Sequence, residues 1–420
     1  MSTAFKAADI LLPDKNTDMS KWSVVACDQY TSQPEYWSET ARLTEGAPSA
    51  LNIILPEVYL EDSDVDDRIG KIHTAMNDYI EKGLFTEYKN SMVYVERMTS
   101  DGIRAGIVGM IDLEEYDYRK GSTSAVRATE ATVVERIPPR IKVRNGAPLE
   151  LPHIMILIDD EKGTVIEPLS DKKSSMEKLY DCELIQKGGN IQGYLMNEKD
   201  ISDVTAALEA LGDKDMFNKK YGLENTPVLL YAMGDGNHSL ATAKEYYEKL
   251  KRENPDKDMS AHPARYALAE IVNLHSPALN FEAIHRIVSG IDTEKLVSQL
   301  TERLGISSEN NGGQCFTAVY GGSDKIMYIS KPSSNLTVGS LQQFLDDYIR
   351  ENGGKIDYIH GEDVVRQLAE DKQSIGFLLP DMSKDELFPT VIKDGALPRK
   401  TFSMGHAEDK RFYMECRKIV

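Results

Sequence analysis

The chain has 420 residues, 49 Lys and Arg against 68 Asp and Glu, and a formal net charge of -19. At ~100–200 residues per domain this length accommodates two or three domains, and the acid excess disfavours nucleic-acid backbones and anionic membrane surfaces as partners. No apolar run reaches the ~18–20 residues that span a bilayer. Residues 1–14 lack a basic region ahead of a long apolar stretch, so no signal peptide is expected. Cys27, Cys182, Cys315 and Cys416 are scattered and form no CxxC pair, which suits reduced thiols and a cytoplasmic protein.

In chain order, the first feature is a polar and aromatic cluster: Trp22, Cys27, Asp28, Gln29, Tyr30 and Trp37, following a short strand at 23–26. It suits either a core corner or a stacking pocket. Ser63 with Asp66 three residues on resembles a capping box, and Val65, Ile69, Ile72, Met76 and Tyr79 recur at helical spacing before Gly83. Two β-type runs, 92–95 and 103–110, flank the turn residues 99–102. Second and third hairpins are expected at 153–158 with 164–166, and at 315–320 with 325–330. His153, after Pro152 at a strand head, reads as structural. Apolar spacing predicts helices at 204–211, at 296–304 (capped by Asp292, ended by Gly305) and at 341–349. Strands and helices alternate without a regular ~30-residue βαβ rhythm, so the expected class is α+β with mixed sheets.

Three segments carry candidate chemistry. Val228–Met233 reads as a buried strand, Gly234-Asp-Gly-Asn-His-Ser239 as a turn, and Leu240, Ala243, Tyr247 and Leu250 as one face of a helix. A Gly-x-Gly turn between strand and helix presents backbone N–H groups that bind anions, phosphate above all. Asp235, Asn237 and His238 add a carboxylate, an amide and an imidazole there; alternatively Asp235 or Asn237 merely caps the helix. The turn lacks the Gly-Lys-Ser/Thr of a P-loop. Between 127 and 144, Arg127, Arg136, Arg140, Lys142 and Arg144 face only Glu130 and Glu135. This stretch is either one wall of an anion site or a set of surface ion pairs. Glu130 beside such cations has the chemistry of a general base or a magnesium ligand. His285-Arg286 is either an edge pair or an anion contact, and Lys400-Thr401 either a phosphate contact or a solvated loop. Zinc- and serine-hydrolase signatures are missing from the sequence.

Asp235-Gly236-Asn237-His238-Ser239 resembles the Asp-Gly-His-His-Arg motif of the family called domain of unknown function ten-fifteen. Arg127-Ala-Thr-Glu130, His285-Arg286 and Pro398-Arg-Lys400-Thr401 are similar to three further motifs of that family, in the same order. The resemblance implies a ParB/sulfiredoxin-like core with a smaller C-terminal α/β layer, a superfamily that includes nucleotide-dependent free-serine kinases. The organisation of the chain itself, with a break near 289–292, sets expected domains at 1–290 and 291–395, with 396–420 returning to the first. The resemblance also implies phosphate binding by the turn (Gly234, Gly236, Asn237 and Ser239, with Arg127, Arg136, His285, Arg286, Lys400 and Thr401). Catalysis would fall to Glu130, Asp235 and His238, with Mg²⁺ on Asp235 and Glu130 and ADP or ATP as the nucleotide.

Asn237 stands where the family has its first histidine, and Ser239 where it has its arginine. Asn237 carries no proton at neutral pH, and the lost arginine leaves phosphate compensation to Arg127, Arg136 or Lys400. The expected function is a phosphotransferase acting on a small hydroxy-amino acid. The alternative is a non-catalytic sensor of a nucleotide or small anionic ligand.

Overall fold

Consecutive residues of the strand Val93–Thr99 enter different cores. Tyr94 joins one apolar cluster, whereas Val93 and Val95 join another. Period-2 alternation with both faces apolar requires a sheet covered on both sides. In the computed structural model, which describes residues 3–132, 134–310 and 312–420, this sheet forms the middle layer of the larger of two units.

That unit comprises Met1–Asn280 with Gly405–Val420. Its sheet runs in the order Glu177–Glu183, Asn190–Leu195, Val93–Thr99, Gly102–Asp112, Tyr266–Asn273, Met155–Ile158, Tyr231–Asp235, Val126–Arg127 and Tyr116–Asp117, with Phe5–Lys6 added beside Gly102–Asp112. Pairing is mixed. Met155–Ile158 lies parallel to Tyr266–Asn273 and antiparallel to Tyr231–Asp235, and Val126–Arg127 is parallel to Tyr231–Asp235. The helices Glu198–Leu211 and Asn237–Glu253 bury Val204, Leu208, Leu240, Ala243 and Tyr247 on one face. The helix Val65–Glu81 and the C-terminal segment, with Phe412 and Met414, close the other. Trp22 and Trp37 are both core residues of that second face; the Trp22 indole donates to the Met414 carbonyl at 2.9 Å.

The second unit, Phe281–Met404, is built on a six-stranded antiparallel sheet in which His285–Ser289 lies between Lys355–Ile359 and Ser374–Leu378. Phe281–Ala283 pairs with Phe402–Met404, tying the two ends of the unit together. The architecture is α+β.

Local chemistry explains where elements differ from their sequence pattern. No strand forms at 164–166. The Asp160 carboxylate accepts the N–H groups of Thr164 and Val165, at 2.5 and 2.8 Å, and a short helix starts at Glu167. Met155–Ile158 is therefore an inner strand between two distant segments instead of half a hairpin. The 65–81 helix takes Asp64 as its N-cap, so the Ser63 capping box does not form.

Candidate functional site

The Tyr231–Asp235 strand passes into the Asn237–Glu253 helix through one residue, Gly236, at φ +78°. A side chain there is strained by its backbone, and a Cβ would also lie 3.1 Å from Ile154 Cα. Gly236 supplies no side-chain cap, so the first turn presents its backbone donors and the positive end of a 17-residue helix. Asp235 stands at this head: its Oδ1 accepts the Gly236 N–H at 3.0 Å, and its Oδ2 lies 3.3 Å from Lys410 Nζ. Asn237 Oδ1 is buried with no hydrogen-bond partner among the described residues.

Ser239, the third residue of the helix, leads to a second polar group. His153 Nε2 lies 3.2 Å from both Asp28 Oδ2 and Ser239 Oγ, and His153 Nδ1 lies 2.8 Å from the Tyr413 hydroxyl, which also accepts the Cys27 N–H at 3.1 Å. Burial alone would depress the imidazole pKa, but the Asp28 charge and hydrogen bond outweigh it and hold His153 well above its ordinary value. For Asp28, burial opposes ionisation, but His153, then Gln29 and Lys410, hold the carboxyl below its usual range. The pair is thus an imidazolium and a carboxylate. With Asp28 and Ser239 meeting the same ring nitrogen, His153 is not arranged to activate Ser239 as in a serine-hydrolase triad.

Beside the turn, Val126–Arg127 runs parallel to the strand, with Arg127 opposite Ala232 and Thr129 Oγ1 donating to the Met233 carbonyl at 2.7 Å. This carries half-buried Glu130 along the strand end that bears Asp235. The Arg127 guanidinium is spent elsewhere: it donates to the carbonyls of Ser124, Pro227 and Val228, ahead of the strand, at 2.7, 3.0 and 3.4 Å. Burial lowers its pKa to about 10. It braces the strand's start and does not reach the turn.

The basic stretch is likewise not an open anion wall. Arg140 grips Glu57 with both ends of its fork, at 2.7 and 2.5 Å, Lys142 pairs with Asp66 at 3.4 Å, and Arg144 pairs with buried Glu150. Arg136 is exposed at the start of the Ile137–Arg144 helix, its carbonyl accepting from Arg140. Acids from elsewhere in the sequence come within reach only on folding, which is why the local charge count misled.

His285, Arg286, Lys400 and Thr401 belong to the second unit. There His285 Nδ1 accepts the Leu379 N–H at 3.2 Å, and burial lowers the histidine's pKa. Arg286, fully buried, donates to Gln342 and to the carbonyls of Ile284 and Arg399. Thr401 Oγ1 donates to the Pro398 carbonyl at 2.6 Å, and Lys400 sits exposed at φ +55° in that loop. These contacts build the loop from within.

Lys410 and Tyr413 were missed by sequence reasoning, which named His153 only as a structural residue. No local signal marks Lys410: it sits 175 positions from Asp235 in an ordinary charged segment. His153 lies outside every motif. The same C-terminal segment places Arg411 between Glu270 (3.3 Å) and Glu415 (2.7 Å), with Tyr180 donating to Glu415 at 2.5 Å. Among the described residues, one further cluster, Asp159, Glu161 and His275, has the composition of a metal site. There Lys220 Nζ lies 2.9 and 3.1 Å from the two carboxylates, and His275 lies 2.6 Å from Asp159, so protein groups already engage both acids.

The family model described as protein of unknown function (DUF1015) matches residues 9–348. The chain belongs to that family. No curated protein matches it. Among solved structures, a free serine kinase in complex with AMP is similar at 13% identity and a TM-score of 0.38, over 74% of this chain and 92% of the kinase. C-terminally truncated SbnI from Staphylococcus aureus is similar at 10% identity and a TM-score of 0.35, over 71% and 82% of the two chains. A conserved hypothetical protein from Pyrococcus furiosus gives 11%, 0.35, 71% and 90%. This member of the DUF1015 family has no helix among its described residues that is long and apolar enough to cross a membrane.

Proposed function

We propose that the head of the Asn237–Glu253 helix holds the phosphates of a nucleotide. The protein then transfers a phosphoryl group between that nucleotide and the hydroxyl of a small amino acid, serine or phosphoserine being what the family resemblance suggests. The observation that carries this reading is the helix start behind Gly236, without a side-chain cap and with the largely buried Lys410 ammonium beside it. Backbone donors and a fixed cation are what a transferring phosphoryl group needs, because such chemistry rests on positioning and electrostatics. Lys410 takes the charge-compensating role that the Ser239 position has lost.

In the kinase direction the acceptor oxygen bonds to the terminal phosphorus and its proton passes to a carboxylate, Asp235 or Glu130. The bond to the nucleotide's bridging oxygen breaks, leaving ADP. His238 would hydrogen-bond the phosphoryl oxygens, and Asn237 Oδ1 offers an acceptor to the substrate's hydroxyl or amino group. Magnesium commonly binds through one or two carboxylates plus phosphate oxygens. Asp235 and Glu130 fit that need only together with a bound nucleotide, since Lys410 and the Gly236 N–H already engage Asp235. The ion would screen phosphate charge.

Phosphorus NMR of the protein with Mg²⁺, ADP and phosphoserine, and separately with ATP and serine, tests the reading. Turnover in either direction is expected, and Lys410→Met should reduce it by ~10²–10³, the range for losing one transition-state donor. Absence of turnover in both directions across a panel of nucleotides overturns it. A second reading, a sensor that binds nucleotide without chemistry, draws support from the existing Asp235–Lys410 pair, which already neutralises the cation. It requires thermal stabilisation by nucleotide without turnover.

A further inference from the structure

Beneath the helix head, on the Cys27 and His153 side, the larger unit has a partly open pocket of about 150 Å³. Its walls are largely apolar, including Ile53, Leu55, Leu60, Met76, Leu149 and Leu151. Its polar end is formed by Cys27, His153, Ser239 and Tyr413. A space of ~150 Å³ admits a benzene-sized molecule.

We propose that this cavity is a binding site for an uncharged small molecule with an apolar body of ~6–10 non-hydrogen atoms and one hydroxyl or carbonyl group placed against Ser239 and Cys27. Charge and chemistry lead to this class. Every cation on the lining has its acid: Arg140 with Glu57, Arg144 with Glu150, and His153 with Asp28. Glu150 is shared with Arg417, at 3.0 Å, so no lining carboxylate is left over. Each lining cation is also already engaged by a carboxylate, and an ionic guest would lose its hydration without meeting a free counter-charge. Thr242 has already committed its hydroxyl to the His238 carbonyl at 2.7 Å. Ser239 Oγ, 3.2 Å from His153 Nε2, keeps further hydrogen-bonding capacity, and the Cys27 thiol is half-buried at the same end. A guest with one polar group can satisfy that end while its body covers Leu55, Met76 and Leu151. This site is independent of phosphoryl transfer, because its test reads binding alone.

Fluorine NMR with 4-fluorobenzyl alcohol, and with 4-fluorobenzoate as the ionic counterpart, tests the proposal on the full chain. The alcohol should show saturable broadening or shift and the benzoate at least ~10-fold weaker binding, a difference of about 1.4 kcal/mol. Thr242→Leu, which fills the cavity from the helix, should reduce alcohol binding by a similar factor. Cys27 reports occupancy in the unaltered protein. Saturating alcohol should slow its alkylation by N-ethylmaleimide several-fold, read by peptide mass spectrometry, and leave Cys182 and Cys315 unchanged. Equal binding of alcohol and benzoate, or saturable alcohol binding without protection of Cys27, overturns the proposal. So does no saturable binding of the alcohol. Should Thr242→Leu fail to fold, the Cys27 protection measurement decides.

Discussion

His153 and Asp28 set a pH signature at the scale of single residues. The imidazole pKa is raised above its ordinary value, so its stabilisation is full below about pH 6.5 and is lost as pH rises through the folded value. The carboxyl is lowered, so its contribution is present above about pH 4 and is lost only as pH falls through its folded value. Stability from this pair is greatest between those limits and declines toward alkaline pH. Asp28→Asn should cost ~2–3 kcal/mol near pH 6, less than the ~3–5 kcal/mol for breaking a fully buried pair, because the Asp28 side chain is 27% exposed. Urea unfolding from pH 5 to 9 checks this. An unchanged slope above pH 6.5 in the variant would show that the pair is not the source. Gly236 shows the same scale in the sequence: a positive-φ position against Ile154 admits little else, so the Gly-x-Gly turn was legible at once.

Element boundaries were readable where a side chain caps locally. The helix Thr293–Leu304 starts at Asp292, whose carboxylate accepts the Lys295 N–H at 3.0 Å, and stops at Gly305 in the left-handed region. Both ends follow from residues within a few positions of each other, which is why periodicity and caps identified them. Asp292→Ala should cost ~1 kcal/mol, measured as a lower urea midpoint with an unchanged slope. A loss under a few tenths would mean that solvent caps the helix equally well. The failures are also local. Ser63 and Asp66 carry the letters of a capping box, yet the N-cap is Asp64 and the helix begins at Val65. Residues 164–166 have strand-like character, but Asp160 captures their N–H groups, and Met155–Ile158 finds its neighbours in strands more than 70 residues away.

At the scale of the whole larger unit, the segment Gly405–Val420 fastens the core and brings Lys410 to Asp235. Arg411 lies buried between Glu270 and Glu415, whose charges outweigh the cost of its burial and raise its pKa. Arg411→Met would leave two buried carboxylates without that cation. The expected loss is ~3–5 kcal/mol, followed by the fluorescence of Trp22 and Trp37, both in this unit's core. A loss below ~1 kcal/mol would mean that Arg104 and Arg97, also buried, compensate both acids. The acidic net charge is likewise a whole-chain quantity, and it did not foretell how the basic residues at 127–144 would be paired.

What the sequence determined by itself is whatever depends on neighbours in the chain. That includes the α+β class from mixed periodicities, the helix ends marked by Asp292 and Gly305, and the strand–Gly236–helix turn. Family membership was also legible there, because ordered motifs survive without knowledge of the fold. Tertiary structure alone decided which charges meet. It spent Arg127 on carbonyls ahead of its strand and matched Arg140 and Arg144 with Glu57 and Glu150. It brought Lys410 to Asp235 and Tyr413 to His153 across more than 170 residues of chain. The physical reason is range. Backbone conformation is fixed by local sterics and hydrogen bonds, whereas the partner of a buried charge is fixed by whichever segment the closed core places within a few ångströms of it.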